Sequence, residues 1–243
     1  MDHISVGTEL PLGENRRLLI VGFCGRAKSG KDSAVRAIEE ALTSQGVKCE
    51  IRAFADPIRE IGRIFDFPEE CLTNQALKES WLHPYLSVTP RKFMQQVGSE
   101  MFRNVLDKDV WVKFMMNKID EFDKDLRESS TRKLMESTAP SLWSPKGVVL
   151  ITDVRFPNEA EAIVERGGHI IKIDRGSGPD SDGEWRNHES EKYVDELSVS
   201  TTFVNDASSL LHWKGKAVSM FAEWAKSKGI YFDESWWYNI QPV

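Results

Sequence analysis

At 243 residues, the chain is long enough for one sizeable domain with a subordinate lobe, and its formal charge of −6 lacks the basic excess that a nucleic-acid backbone demands. With 40% hydrophobic and 29% charged residues it has the make-up of a globular protein rather than a disordered one. Three cysteines, Cys24, Cys49 and Cys71, show no metal-ligand spacing, which predicts buried free thiols in a reducing compartment. No apolar stretch approaches the roughly 20 residues that cross a bilayer, and no apolar run leads the chain, so a cytoplasmic protein without a membrane partner is expected.

Residues 1–15 are weakly periodic and hold Pro11 and Gly13, the pattern of an N-terminal extension, and a single domain is expected over 16–243. Arg16 to Cys24 (RRLLIVGFC) is a short apolar run ending beside glycine, which predicts a strand buried on both faces of a parallel sheet. In 31–45, Val35, Ile38, Ala41 and Leu42 recur at helical spacing and Gly46 offers a stop, so a helix follows directly. Residues 48–55 predict a second strand, and Asp56-Pro57 predicts a capped helix over about 57–66.

The stretch 67–88, with Pro68 and Pro84, supports one short helix within a substrate lobe. Thr89-Pro90 opens a helical pattern through Phe93, Met94, Val97 and Met101, and Val110 to Phe122 carries a second apolar stripe. Residues 127–146, rich in serine, charge and proline, predict a surface insertion. A third strand is predicted over 147–152, a helix over 158–166 closed by Gly167-Gly168, and a fourth strand over 169–174. A glycine- and serine-rich loop (176–188), a fifth strand (201–204) and a last helix (208–227) complete the pattern. The aromatic tail, with Trp236, Trp237 and Tyr238, reads as a packing or dimer contact. Strands alternating with helices predict an α/β fold: a doubly wound, mostly parallel five-stranded sheet flanked by helices.

Gly25-Arg26-Ala27-Lys28-Ser29-Gly30-Lys31 matches the first seven positions of G-x-x-x-x-G-K-[ST], between a buried strand and a helix start. Such a P-loop cradles phosphates because its glycines let successive backbone N–H groups point inward, where the positive helix end adds attraction. Lys31 then reaches the β and γ phosphates of a bound triphosphate. The eighth position holds Asp32, and the hydroxyl comes one residue later at Ser33. Either Ser33 supplies the hydroxyl to Mg²⁺, or Asp32 contacts the metal through water or caps the helix. Asp153, at the end of the third strand, is the candidate for a second carboxylate near the metal, since ligands bind outside the carboxyl ends of such strands.

These segments together carry a resemblance. The GRAKSGKDS loop, FADPIRE (54–60), RKFMQQVGSEMFR (91–103), DVWVK (109–113), TDVRFPNEAEAI (152–163) and HESE (188–191) are similar to bacteriophage deoxynucleoside monophosphate kinases, over roughly residues 17–225. The resemblance implies a nucleoside monophosphate kinase-like P-loop fold and transfer of the γ-phosphate of ATP, with Mg²⁺, to a deoxynucleoside monophosphate. It further implies a homodimer in the host cytoplasm, an acceptor-binding region at about 54–125 and a lid at about 175–192.

On the same resemblance, Asp56 lies where the acceptor-binding helix begins, while Arg91 and Gln95, four apart on one helix face, contact acceptor phosphate and base. Phe93, Gln96 and Trp111 are further candidates around the base. Asp153 and Arg155 form the D-x-R after the third strand, Arg175 enters the lid with Arg186 and His188 beyond it, and Asn205 approaches the adenine. Paired guanidinium donors suit two phosphates that must meet in line. The nearest alternative is a phosphomevalonate kinase-like transfer to another phosphomonoester; a regulatory module that binds ATP without transferring its phosphate is the other.

Overall fold

The structure is a computed structural model, and it describes residues 18–129, 144–175 and 193–232. The N-terminal extension, most of the 127–146 insertion, the lid residues beyond Arg175 with Arg186 and His188, and the aromatic tail lie outside the described residues.

Five strands form one sheet in the order β2-β3-β1-β4-β5. They are β1 (Leu18–Cys24), β2 (Lys48–Arg52), β3 (Gly147–Ile151), β4 (His169–Asp174) and β5 (Thr201–Val204). Every pairing is parallel, with Leu18 opposite Gly147 in β1–β3 and Val21 opposite His169 in β1–β4. Side chains alternate across the sheet as the period of two requires. Leu19, Val21, Phe23, Val148, Leu150, Ile171 and Ile173 face one core, shared with α1 (Lys31–Ser44) and the C-terminal helix α8 (Leu210–Ser227). Ile20, Cys24, Val149, Ile151 and Ile170 face the other, packed under α6 (Val110–Ser129) and α7 (Pro157–Glu165). Burial on both faces is what the continuous apolar runs of β1 and β3 encode.

The second core extends into a helical lobe formed by α2 (Asp56–Ile64), α3 (Glu69–Thr73), α4 (Gln75–Ser80) and α5 (Pro90–Gln95). Two expectations change here. The stretch 67–88 holds two short helices, not one, because the Asn74 side chain accepts hydrogen bonds from the N–H groups of Ala76 and Leu77 at 2.9 and 3.2 Å and restarts the chain as α4. The helix entered at Pro90 keeps its α-form only to Gln95 and continues as a π-helical segment, Gln96–Leu106. Within it the carbonyl of Gly98 accepts a 2.8 Å hydrogen bond from the Trp111 indole, and a side chain that reaches into the backbone ladder is a recognised cause of such widening.

His83 closes the lobe's connecting loop. Its Nδ1 accepts from the N–H groups of Tyr85 and Leu86, each at 3.2 Å, so its Nε2 carries the proton donated to the Phe65 carbonyl at 2.7 Å. Its ring packs in the aromatic cluster of Phe67, Trp81 and Tyr85.

Candidate active site

Because all five strands run the same way, the loops that follow them gather at one edge of the sheet. They carry Gly25–Gly30 after β1, Ala53–Asp56 after β2, Asp153–Arg155 after β3, Arg175 after β4 and Asn205 after β5. Residues read from distant parts of the sequence therefore share one rim.

The first loop is held from outside. Gly30 has φ 92°, a left-handed conformation that glycine adopts without strain, and α1 starts on it. Asn205 Nδ2 donates to the Ser29 carbonyl at 2.8 Å, and the Trp213 indole donates to the Gly30 carbonyl at 2.8 Å. With two successive carbonyls drawn outward onto β5 and α8, the N–H groups at the head of α1 are left for a ligand. There is no room for a larger residue: a Cβ on Gly30 would sit 2.5 Å from Asn205 Nδ2 and 2.6 Å from Trp213 Nε1.

A cleft of about 400 Å³ opens beside this loop, lined by Lys31, Asp32, Ser33, Arg175, Asn205 and Trp213 among others. Ser29 is buried, and its hydroxyl has no hydrogen-bond partner among the described residues. Arg26, at the loop's second position, pairs instead with Asp195, which also receives Lys172 at 2.7 Å. The Lys172 ammonium and then the Arg26 guanidinium hold Asp195 below the usual carboxylate range. Arg175 reaches the loop through a long 3.5 Å contact to the Lys28 carbonyl.

Asp153 is engaged by backbone on both carboxylate oxygens. Its two carboxylate oxygens accept from the N–H groups of Phe54 and Ala55 at 2.7 and 3.0 Å, which ties the turn after β3 to the turn before α2. Asp56 does similar work, accepting from Ala53 N–H at 2.7 Å and from Arg59 Nη1 at 2.6 Å. Arg155 is placed through its backbone: its N–H and that of Phe156 donate to Glu159 Oε2 at 2.8 and 3.1 Å. Glu159 is buried and also receives Arg103 from the π-helical segment at 2.5 Å. The Arg103 guanidinium lies 3.8 Å over the Phe156 ring. Burial pushes the Glu159 carboxyl up to about 7, against the opposing pull of Arg103 and of the two backbone N–H groups.

The acceptor-side residues divide. Arg91 on α5 is half-buried and pairs with Glu79 of α4, and Gln95, one turn on, is half-buried as well. Trp111 does not join them. It is buried, bonded to Gly98 and packed on Phe102 with ring centres 5.0 Å apart, so it is a core residue and not a surface for a base to stack on. Phe93 is likewise buried, against Phe65 and Phe67.

Sequence reasoning missed the structural parts played by Arg59 and Trp213. Arg59 stood inside the FADPIRE segment, three residues from Asp56, the helical spacing that brings the pair together. Trp213, on the last helix, carries no motif that would set it apart from the apolar positions around it.

An all-parallel five-stranded sheet flanked by helices, whose first loop and its lysine line a cleft, is a fold of the P-loop kinase-like α/β class. Compared with curated proteins, the chain is 30% identical over 162 residues to a protein of Acanthamoeba polyphaga mimivirus assigned as a deoxynucleotide monophosphate kinase, a match spanning 65% of this chain and 75% of that protein. It is 32% identical over 103 residues to the deoxynucleoside-5'-monophosphate kinase of Escherichia phage T5, across 41% of this chain and 32% of that protein. No family model matches. The chain belongs to the deoxynucleotide monophosphate kinases and is an enzyme of that type.

Proposed function

We propose that this chain transfers the γ-phosphoryl group of ATP to the phosphate of a deoxynucleoside monophosphate. The observation that carries this reading is the loop Gly25–Lys31 opening onto the cleft lined by Lys31, Ser33 and Arg175. Lys31 binds the β and γ phosphates and stabilises charge on the moving phosphoryl group, while the backbone of 26–33 cradles the rest. Asn205 has a second task besides any contact to adenine: it holds the Ser29 carbonyl.

An oxygen of the acceptor phosphate forms the new bond to the γ-phosphorus. The bond from that phosphorus to the β–γ bridging oxygen breaks, and ADP leaves with the electron pair. The acceptor oxygen is already ionised at neutral pH, so the site needs no general base. Arg91 and Arg155 hold the acceptor phosphate, Gln95 meets the base, and Asp56 and Asp153 position the turn from which α2 begins. Arg175 covers the transferring group at the start of the lid.

The residues at the head of α1 fit Mg²⁺: the Ser33 hydroxyl and the Asp32 carboxylate are hard oxygen donors in the wall of the same cleft as Lys31. Ser33 would hold the ion through its hydroxyl, with Asp32 acting through water. The ion, when bound, neutralises charge on the β and γ phosphates. On this reading the protein works as a homodimer in the host cytoplasm, on small molecules and not on polymeric nucleic acid, in keeping with its charge of −6. Among the described residues no helix is long and apolar enough to cross a membrane.

The test is ADP release with ATP, Mg²⁺ and a panel of the four common deoxynucleoside monophosphates, their ribose counterparts and phosphomevalonate. Turnover with one or more deoxynucleotides is expected. Turnover with phosphomevalonate alone, or none with any acceptor, overturns the reading.

A further inference from the structure

Lys78 lies on α4, a helix of six residues with no buried residue of its own. What fixes this helix is its surroundings: the Asn74 cap at its start and the ion pair from Glu79 to Arg91 of α5. Lys78 is thereby held half-buried within electrostatic reach of three guanidinium groups, Arg59, Arg91 and Arg155, which come from α2, α5 and the turn after β3. Asp32, at the head of α1, is the carboxylate that acts on it. Burial first, and then repulsion from the three arginines, pushes Lys78 down to about 8. Four cations drawn together at the cost of their own repulsion need a reason.

The neighbouring carboxylates offset part of this charge but leave donors over. Asp56 is taken by Arg59 Nη1 and the Ala53 N–H, and Glu79 by Arg91. Arg59 Nε and Arg91 Nη2 are nevertheless buried with no hydrogen-bond partner among the described residues. Buried donors are nearly always satisfied in a folded protein, and each one left unmatched carries a desolvation penalty. Unmatched guanidinium donors within electrostatic reach of a half-buried ammonium, on separate elements, suit a compact dianion.

We infer that Lys78 is a direct ligand of the acceptor's phosphate, completing with Arg59 and Arg91 an anion cradle built on α2, α4 and α5 that faces the head of α1. This rests on the reading that the acceptor is a phosphomonoester. Its chemistry differs from that of the donor loop: the donor's phosphates are met by backbone N–H groups and Lys31, the acceptor's by side chains alone. Asp32 marks where the two sites approach, at the first turn of α1. Lys78 takes no proton from the acceptor and stays charged through the transfer.

The variants are Lys78→Met, which keeps the length of the stem without the charge, and Lys78→Arg, which keeps the charge. Steady-state kinetics with ATP and the best deoxynucleoside monophosphate should show the acceptor KM raised about 10–100-fold in Lys78→Met, the loss of one charge-assisted hydrogen bond, with the ATP KM within about twofold of wild type. Lys78→Arg should restore most of the acceptor KM. Thermal unfolding of both variants separates this from a loss of fold. An unchanged acceptor KM in Lys78→Met, or equal rises in both KM values, overturns the inference. If the wild type turns over no deoxynucleotide, the preceding reading falls by itself. The cradle is then tested by equilibrium dialysis with radiolabelled phosphate: binding that weakens at least tenfold in Lys78→Met supports it, and equal binding by wild type and variant overturns it.

Discussion

Between β1 and α1, the donor site we propose is built from backbone: Gly30 turns with φ 92°, Asn205 and Trp213 hold the Ser29 and Gly30 carbonyls from behind, and the loop lines the cleft. In the helical lobe the acceptor site we propose rests on long side chains, Arg59, Lys78 and Arg91, each on a different short helix. The first is rigid because its parts lie between a buried strand and a buried helix. The second depends on ion pairs between small elements, such as Glu79 with Arg91, and exposes Ile64, Phe65, Leu82 and Tyr85 around it. A proposed donor site braced by buried elements beside a proposed acceptor site held by ion pairs between short helices suits a reaction in which the two phosphates must be brought into line and shielded from water.

Removing the ammonium that serves the moving phosphoryl group tests the donor half most severely. Lys31→Ala should lower turnover on the order of 10³-fold while thermal unfolding stays near wild type, since the lysine acts on developing charge and not on packing. Near-normal ADP release from the folded variant would break the assignment of the loop as the donor site. The seam between the halves should respond in stability. Glu159→Ala strands the Arg103 guanidinium and the N–H groups of Arg155 and Phe156, and should cost about 3–5 kcal/mol in denaturant unfolding, the range for breaking a buried ion pair. A loss below about 1 kcal/mol would mean that the seam is looser than its hydrogen bonds indicate.

The same contrast explains what could be read without coordinates. The limits of β4 and β5 were visible as apolar runs, and the loop between β1 and α1 was visible because glycine, lysine and a helix start stand within seven residues of one another. Information of that kind is local. Glu79, Arg91, Arg59 and Lys78 come together only because Asn74 splits the 67–88 region into two helices and turns α4 against α5. No period or motif in the lobe announces that turn. Trp111 misled for a related reason: an aromatic residue near a predicted substrate helix looks the same whether it stacks on a base or, as here, donates its indole N–H to Gly98 inside the core. The π-helical form of 96–106 was hidden too, since its apolar spacing passes for an α-helix.

Smaller changes sharpen the picture of the loop. Gly30→Ala forces a side chain into a left-handed position and into the space of Asn205 and Trp213, so it should cost about 1–3 kcal/mol of stability and raise the ATP KM. The acceptor KM should move less, because the clash lies on the β5 and α8 side of the loop. A Gly30→Ala protein that binds ATP normally would show that the loop adapts, and that rigidity is not what separates the two sites.

The smallest expected effect is the most selective. Trp213→Phe keeps most of the buried ring and removes the N–H that holds the Gly30 carbonyl, a change of about 1 kcal/mol if the ring still packs. Gly30 caps α1 with its carbonyl, and Lys31 is the next residue, so any drift of that carbonyl turns the peptide whose N–H belongs to Lys31. The ATP KM should rise a few-fold with the acceptor KM unchanged. Asn205→Ala should do the same through the Ser29 carbonyl, and the double variant should show an effect different from the sum, because neighbouring peptides of one loop are coupled. If Trp213→Phe weakens ATP and acceptor equally, the backbone-built and side-chain-built sites behave as a single unit, and the distinction between them fails.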